Sequence, residues 1–303
     1  MKGARVLSQT AGEVRVFAPG KVNLYLEVGA TDPADPRHRL LSVFQELALG
    51  DTLTLCAGGA DRVVTALAPG LDAPADLDTP SNLAWRAVEA LREAGFEVPG
   101  TQIHIAKHIP VAGGMAGGSA DAAGALVGAR ALYELDATDA QLLEIARKVG
   151  SDVPFCVLGG TAIGTEYGDV LRSVPGGTKM FWALIVAKNG LRTPQVFQTF
   201  DALNPQPSPL ASTPPAEFLA ALHATPSELA KYLRNDLQAP ALRLRPELAE
   251  VIATAEASGA LRAMISGSGP TVAALCDSAE TASRVAAATA ALDQVATTIV
   301  STS

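Results

Sequence analysis

An α+β fold in two lobes is what the sequence predicts, and three observations carry that expectation. The chain has 303 residues, which at roughly 100–200 residues per domain suggests about two domains. Stretches that alternate apolar and polar residues with period two are interspersed with helical stretches closed by cap residues. A Pro175-Gly176-Gly177 break then offers an internal boundary, dividing the chain into residues 1–177 and 178–303.

Taken in order, residues 14–18 and 22–28 alternate as strands. Residues 41–49 and 51–57 read as two more, joined by a turn at Gly50-Asp51. The Pro-, Asp- and Ala-rich stretch 69–80 reads as a loop, after which Ser81 can cap a helix that runs to about Ala94 and stops at Gly95. Residues 102–106 form a strand, a glycine loop follows, and a helix continues to Tyr133. Thr138 with Gln141 makes a capping box for a helix ending near Gly150. Short strands are expected around 160–165 and 170–174, and an apolar strand at 181–187. A Pro/Ser/Ala loop covers 204–215, Thr225-Pro226 starts a helix with Pro in its first turn, and 261–265 is a strand leading into a Gly/Ser turn.

Composition narrows the function classes. Charged residues make up 18% and hydrophobic residues 48%, the balance of a folded protein. Lys and Arg number 23 against 31 Asp and Glu, a net charge of −8. Such a chain has no general attraction to nucleic acid or anionic lipid, so a phosphorylated ligand needs a local site. Cys56, Cys156 and Cys276 are far apart and show neither a CxxC pair nor a zinc spacing, which fits a reducing cytoplasm. His104 and His108 are four apart, but Pro110 and the strand pattern of 102–106 argue against a helical metal pair. The first ten residues hold no apolar segment of a signal peptide, and no apolar run is long enough to span a membrane.

The most informative segment runs from Pro110 through Gly113, Gly114, Met115, Ala116, Gly117, Gly118, Ser119, Ala120 and Asp121. Glycines let backbone N–H groups approach an anion and adopt positive φ. An apolar, Ala-rich helix opens directly behind them, and its N-terminus favours phosphate. Gly113 and Gly118 have the four-residue gap of a Walker A motif, but Ser119 stands where the lysine belongs, and GxGxxG is missing. A loop used only for tight packing is the plainer alternative. Two Gly-Gly pairs plus a serine at the head of a long helix favour a polyphosphate such as ATP.

Two further segments bring charge. In the strand after Pro19-Gly20, Val22, Leu24 and Leu26 share one face, while Lys21, Asn23 and Tyr25 share the other. That polar face can deliver an ammonium, an amide and a phenol; a half-exposed strand with a solvated lysine is the alternative. In Gly150-Ser151-Asp152-Val153-Pro154-Phe155 a single acid follows a helix-ending glycine. Beside an ammonium it stays ionised and can accept the proton of an attacking hydroxyl. It can also cap the short helix that follows, and the two roles are compatible. Finally, Ser266-Gly267-Ser268-Gly269-Pro270-Thr271 is a second Gly/Ser turn whose backbone N–H groups suit phosphates.

These segments, in this order, resemble the GHMP kinases, the family of galactokinase and of homoserine, mevalonate and phosphomevalonate kinases, from about Val14 to the end of the chain. The resemblance implies a two-lobed GHMP kinase fold, with an N-terminal ATP-binding lobe of the ribosomal-protein-S5-like type and a C-terminal α/β substrate-binding lobe. It implies an ATP-dependent cytoplasmic kinase using Mg²⁺, with Asp152 as general base and Lys21 holding it ionised and neutralising developing charge. Asn23 and Tyr25 would bind substrate with Asp152 and the turn Gly267, Ser268 and Gly269. Lys107 and Asn82 match positions near the family's adenine pocket, and Ser119 would contact the metal. Gly150-Ser151-Asp152-Val153-Pro154-Phe155 and the Gly117-to-Ala123 loop point to the branch whose alcohol carries a cytidine diphosphate. His38 matches the family's cytosine-binding histidine, Phe197 matches one side of a base sandwich, and Arg37 replaces the tyrosine on the other side. Another family kinase acting on homoserine or a sugar, or a non-catalytic ligand sensor on the same scaffold, are the alternatives. The net charge of −8 argues against an S5-like RNA-binding module.

Overall fold

The structure is a computed structural model that describes residues 3–32, 35–73, 76–175 and 177–303. In chain order the first elements are β1 (Arg5–Thr10), β2 (Glu13–Asp32), β3 (Asp35–Ala57), β4 (Arg62–Leu67), α1 (Leu83–Glu93), β5 (Thr101–Lys107), α2 (Gly117–Leu132), α3 (Asp139–Val149) and α4 (Val153–Leu158). There follow β6 (Thr161–Thr165), β7 (Val170–Ser173), β8 (Phe181–Ala187), α5 (Thr193–Leu203), α6 (Ala216–Ala221), α7 (Pro226–Ala230) and β9 (Arg234–Asn235). The last are α8 (Gln238–Leu244), α9 (Leu248–Ala257), β10 (Arg262–Ile265), β11 (Val272–Cys276), α10 (Ala279–Thr289) and β12 (Val295–Thr302). The mixture is the α+β class expected. No helix among the described residues is long and apolar enough to cross a membrane.

Packing groups the chain into two compact units that interleave in sequence. One comprises residues 1–21, 49–111 and 116–160, the other 22–48, 112–115 and 161–303. The expected boundary at residue 177 is a single cut, whereas the long strands β2 and β3 each contribute to both units.

In the first unit β1 pairs antiparallel with the start of β2, Arg5 opposite Phe17. The end of β3 pairs antiparallel with β5, Thr52 opposite Ala106, and β4 lies parallel to β5. Helix α2 packs on this sheet through its small residues: a Cβ added at Gly124 would meet Leu53, and one at Gly128 would meet Leu55. The four-residue spacing places both glycines on one helix face. Leu53 and Leu55 are completely buried, each worth about 1.5–3 kcal/mol relative to exposure. The helix is buried from Ala120 to Ala129. Its alanine richness is therefore what lets a helix run through a core.

The second unit centres on an antiparallel sheet in the order β10-β11-β8-β12, with Val272 opposite both Ile265 and Ile185. Its core joins Ile185, Ile265 and Val272 to Val196 and Phe200 of α5, Val251 of α9 and Val285 of α10. The hairpin β6–β7 pairs with the start of β3, Phe44 opposite Ala162, and β9 lies parallel to β2 at Tyr25.

Most expected elements are present within a residue or two, and the differences have physical causes. The strand pairs expected at 14–18 with 22–28, and at 41–49 with 51–57, are the continuous strands β2 and β3. Gly50 is not a turn but a close approach: a Cβ there would lie 2.4 Å from the Phe17 ring and 2.7 Å from the Ala18 carbonyl oxygen. The cap of α1 is Asn82, whose side chain accepts from the Ala84 N–H, while Ser81 bonds the Thr79 hydroxyl. The capping box at Thr138 and Gln141 forms as expected. Strand β1 is exposed throughout and carries no alternation by which to find it.

Candidate active-site residues

The glycine loop begins at Pro110, which is buried, and enters α2 at Gly117. Ala116 occupies the N-cap position with a left-handed backbone and makes no side-chain cap. The first N–H groups of α2, from Gly117, Gly118 and Ser119, are thus those a helix start leaves for an anion. Gly118 is exposed and Ser119 half-buried, whereas the Met115 and Ala120 side chains are buried. Gly114 has φ 74°, and a Cβ there would lie 2.2 Å from the Ser266 carbonyl oxygen. Ser266 in turn donates its hydroxyl to the Gly114 carbonyl at 3.1 Å. The second Gly/Ser turn is therefore seated on the glycine loop at Gly114, a meeting of two motifs 152 residues apart. Asn235 braces the turn by donating to the carbonyls of Ile265 and Gly267, and the Ser268 hydroxyl bonds that of Thr193.

In the first unit, Lys21 Nζ lies 3.6 Å from Asp152 Oδ2. The lysine side chain is 6% exposed and the carboxylate 33%. Asp152 precedes α4 at the cap position but makes no side-chain cap bond, so its carboxylate faces the ammonium instead of closing the helix. A partly open carboxylate held beside a buried ammonium is suited to receive a proton.

Lys107 behaves differently. It is 4% exposed and donates to Asp51 at 2.6 Å and to Asp121 at 2.7 Å. Burial opposes its charge, but the carboxylates of Asp121 and Asp51 outweigh it and hold the ammonium pKa above its ordinary value. Burial pushes the Asp121 carboxyl well upward, with Lys107 opposing. Asp121 Oδ1 is buried without a hydrogen-bond partner. Asn82 spends its amide on the start of α1, accepting from Ala84 and donating to the Leu77 carbonyl. Both residues support local structure. Asp51 escaped the sequence reading because Gly50-Asp51 looks like a turn.

The second unit collects the remaining positions. Asn23 donates to the Ser42 hydroxyl at 2.8 Å, and Ser42 donates to the Tyr25 carbonyl. The Tyr25 phenol donates to Glu27 at 2.9 Å and accepts from Arg234 at 2.9 Å. Burial, then the Glu27 hydrogen bond, raises its pKa, so the phenol keeps its proton. His38 Nδ1 bonds the Gly29 carbonyl at 2.8 Å, leaving Nε2 3.2 Å from Asp201. Phe197 stacks on the His38 ring, 5.1 Å between centroids and 21° between planes. Arg37 chelates Asp35 and lies 3.9 Å over the Tyr167 ring. Phe197 thus lies directly against His38, while Arg37, the residue expected across the base from Phe197, is engaged with Asp35 and Tyr167. Asp201, Tyr167 and Arg234 had no motif to signal them.

Family models for the GHMP kinases N terminal domain and the GHMP kinases C terminal match residues 82–160 and 218–292. A 4-diphosphocytidyl-2-C-methyl-D-erythritol kinase of Nocardia farcinica is 44% identical over 93% of this chain and 91% of its own length. The kinase of that name from Streptomyces coelicolor is 44% identical over 90% and 91%. A solved 4-(cytidine 5'-diphospho)-2C-methyl-D-erythritol kinase superposes with a TM-score of 0.76 at 29% identity, covering 95% of this chain and 98% of that one. A homoserine kinase from Cytophaga hutchinsonii shares the fold, with a TM-score of 0.73 at 19% identity over 98% and 96% of the two chains. The chain belongs to the GHMP kinases, in the family of the 4-diphosphocytidyl-2-C-methyl-D-erythritol kinases.

Proposed function

We propose that the protein transfers the γ-phosphoryl group of ATP to the 2-hydroxyl of 4-diphosphocytidyl-2-C-methyl-D-erythritol, in the non-mevalonate route to isoprenoid precursors. The observation that carries the chemistry is the pair of a buried Lys21 ammonium and a one-third-exposed Asp152 carboxylate. Asp152 accepts the hydroxyl proton as the alcohol oxygen attacks the γ-phosphorus, and the bond from that phosphorus to the β-phosphate oxygen breaks to release ADP. Lys21, 3.6 Å from the Asp152 carboxylate, offsets charge developing on the phosphoryl oxygens. The first N–H groups of α2 receive the phosphates, and the turn Gly267, Ser268 and Gly269 supports the loop at Gly114. Asn23, Tyr25, His38 and Phe197 hold the substrate, the last two through its cytosine ring. In this reading residues 1–177 bind ATP and supply Asn23, Tyr25 and His38 to the alcohol, and residues 178–303 add Phe197 and the turn Gly267, Ser268 and Gly269.

Mg²⁺ fits as an ion carried by the nucleotide. No cluster of three or more His, Cys, Asp or Glu is placed for a metal among the described residues. Magnesium commonly relies on phosphate oxygens, water and one or two protein groups. Ser119, at the start of α2, is the group proposed to reach it, and the ion would offset charge on the phosphates. Cytoplasmic location is supported by three free cysteines, and a nucleic-acid partner is disfavoured by the net charge of −8.

The test is ADP release by the purified protein with ATP and Mg²⁺, comparing the cytidyl alcohol with homoserine, galactose and mevalonate. Release with the cytidyl alcohol alone is expected. Release with another alcohol would retain the Lys21–Asp152 chemistry and discard the cytosine assignment. ATP binding without release from any alcohol would favour a ligand sensor.

A further inference from the structure

We infer that Lys107 is a positioning residue for the glycine loop, acting through Asp51 and Asp121 and not by contact with the nucleotide. The inference rests on the reading of that loop as the ATP phosphate cradle and adds the device that holds it in shape.

Asp51 Oδ1 accepts the backbone N–H of Ile109 at 2.8 Å and also that of His108, fixing the chain just ahead of Pro110. On the far side, Asp121 lies one turn into α2. One ammonium joins the two sides, since Lys107 Nζ donates to Asp51 Oδ2 at 2.6 Å and to Asp121 Oδ2 at 2.7 Å. The connection Ile109–Asp51–Lys107–Asp121 therefore ties the entry of the loop to its exit. It passes under Gly117, where an added Cβ would lie 3.2 Å from Lys107 Nζ and 3.0 Å from Ile109 Cγ2.

The tied segment needs such a frame. Ala112 and Ala116 have φ of 54° and 57°, left-handed conformations that are unfavourable for residues with a Cβ. Strain of this kind persists where the surroundings over-determine it. A direct role for Lys107 on ATP is chemically poor by comparison. Two of its three N–H donors are committed to carboxylates, and its side chain is 4% exposed. An ammonium flanked by two carboxylates presents no net positive charge to a phosphate.

The experiment combines steady-state kinetics with amide hydrogen exchange of the ligand-free protein. The variants are Lys107→Met, Asp121→Ala, their double variant, and the charge-free triple Asp51→Asn/Lys107→Met/Asp121→Asn. The inference predicts that Lys107→Met raises the KM for ATP about tenfold and speeds exchange across residues 111–119, with the KM for the alcohol little changed. Asp121→Ala acts in the same direction, and the double variant is no worse than the worse single, because both remove one tie. If Lys107→Met fails to fold, the triple variant removes the three charges together and is expected to show the same loop exchange and ATP KM. Unaltered loop exchange with a multiplicative loss of ATP affinity in the double variant would overturn the inference in favour of direct contact. So would wild-type exchange and ATP KM in the triple variant. Should the wild-type protein not use ATP at all, the functional reading falls, while faster loop exchange in these variants still upholds the tie.

Discussion

Two lysine–aspartate constellations occupy the same packing unit, and they are built to opposite ends. Lys21 and Asp152 stand 3.6 Å apart with the carboxylate one-third exposed. Lys107 sits 2.6 and 2.7 Å from Asp51 and Asp121, all three buried. Identical functional groups thus take different work from their surroundings. An open pair can exchange a proton with a ligand, whereas a closed, buried cluster can only hold its neighbours. Residue type and even a family motif do not separate the two; burial and partner count do.

The largest effect that would sharpen this contrast is in turnover at the open pair. Lys21→Met should lower kcat by about 10²–10³, with the protein still folded by circular dichroism. A turnover within threefold of wild type would reduce Lys21 to a strand residue. At the closed cluster the expected loss is in stability. Lys107→Met leaves two buried carboxylates without their cation and should cost about 3–5 kcal/mol in urea unfolding. A cost near zero would mean the cluster is open to water after all.

A third variant probes the loop that the cluster frames. Gly114→Ala puts a Cβ at 2.2 Å from the Ser266 carbonyl oxygen at φ 74°. It should destabilise by about 1–3 kcal/mol and raise the KM for ATP, both measurable on the same preparation. The pH dependence gives a fourth test. The Lys107 pKa is raised above 10.5 in the folded protein, so its contribution is fully present below that pH and is lost as pH rises through the folded value. Wild-type protein should therefore lose stability in alkaline urea titrations more steeply than Lys107→Met. The smallest effect is at Arg37. Its ion pair with Asp35 is at the surface, the arginine side chain 59% exposed, where water and salt screen such pairs. Arg37→Tyr should then change the KM for the cytidyl alcohol by less than about fivefold.

How much of this was legible in the sequence depended on whether the determining physics was local. The capping box at Thr138, the strand at residues 181–187 and the helix behind the glycine loop follow from neighbouring residues, and the structure has them. Lys21 and Asp152 could be named because each sits in a distinctive short motif, and the structure brings them together. What stayed hidden is set by distant contacts. Gly50 reads as a turn until the Phe17 ring is seen against it. Asp51 and Asp121 lie 56 and 14 residues from Lys107 in sequence, so Lys107 looked like a charge available to a ligand. Arg37 likewise could not be assigned to Tyr167 from any local pattern.

The most direct test of the account is turnover at saturating ATP and saturating cytidyl alcohol, measured side by side for Asp152→Asn and Lys107→Met. The account predicts a fall in kcat of about 10²–10⁴ for Asp152→Asn, while folded Lys107→Met stays near the wild-type kcat once the higher ATP requirement is met. Near-normal turnover by Asp152→Asn, or a collapse of saturated turnover in folded Lys107→Met, would contradict it.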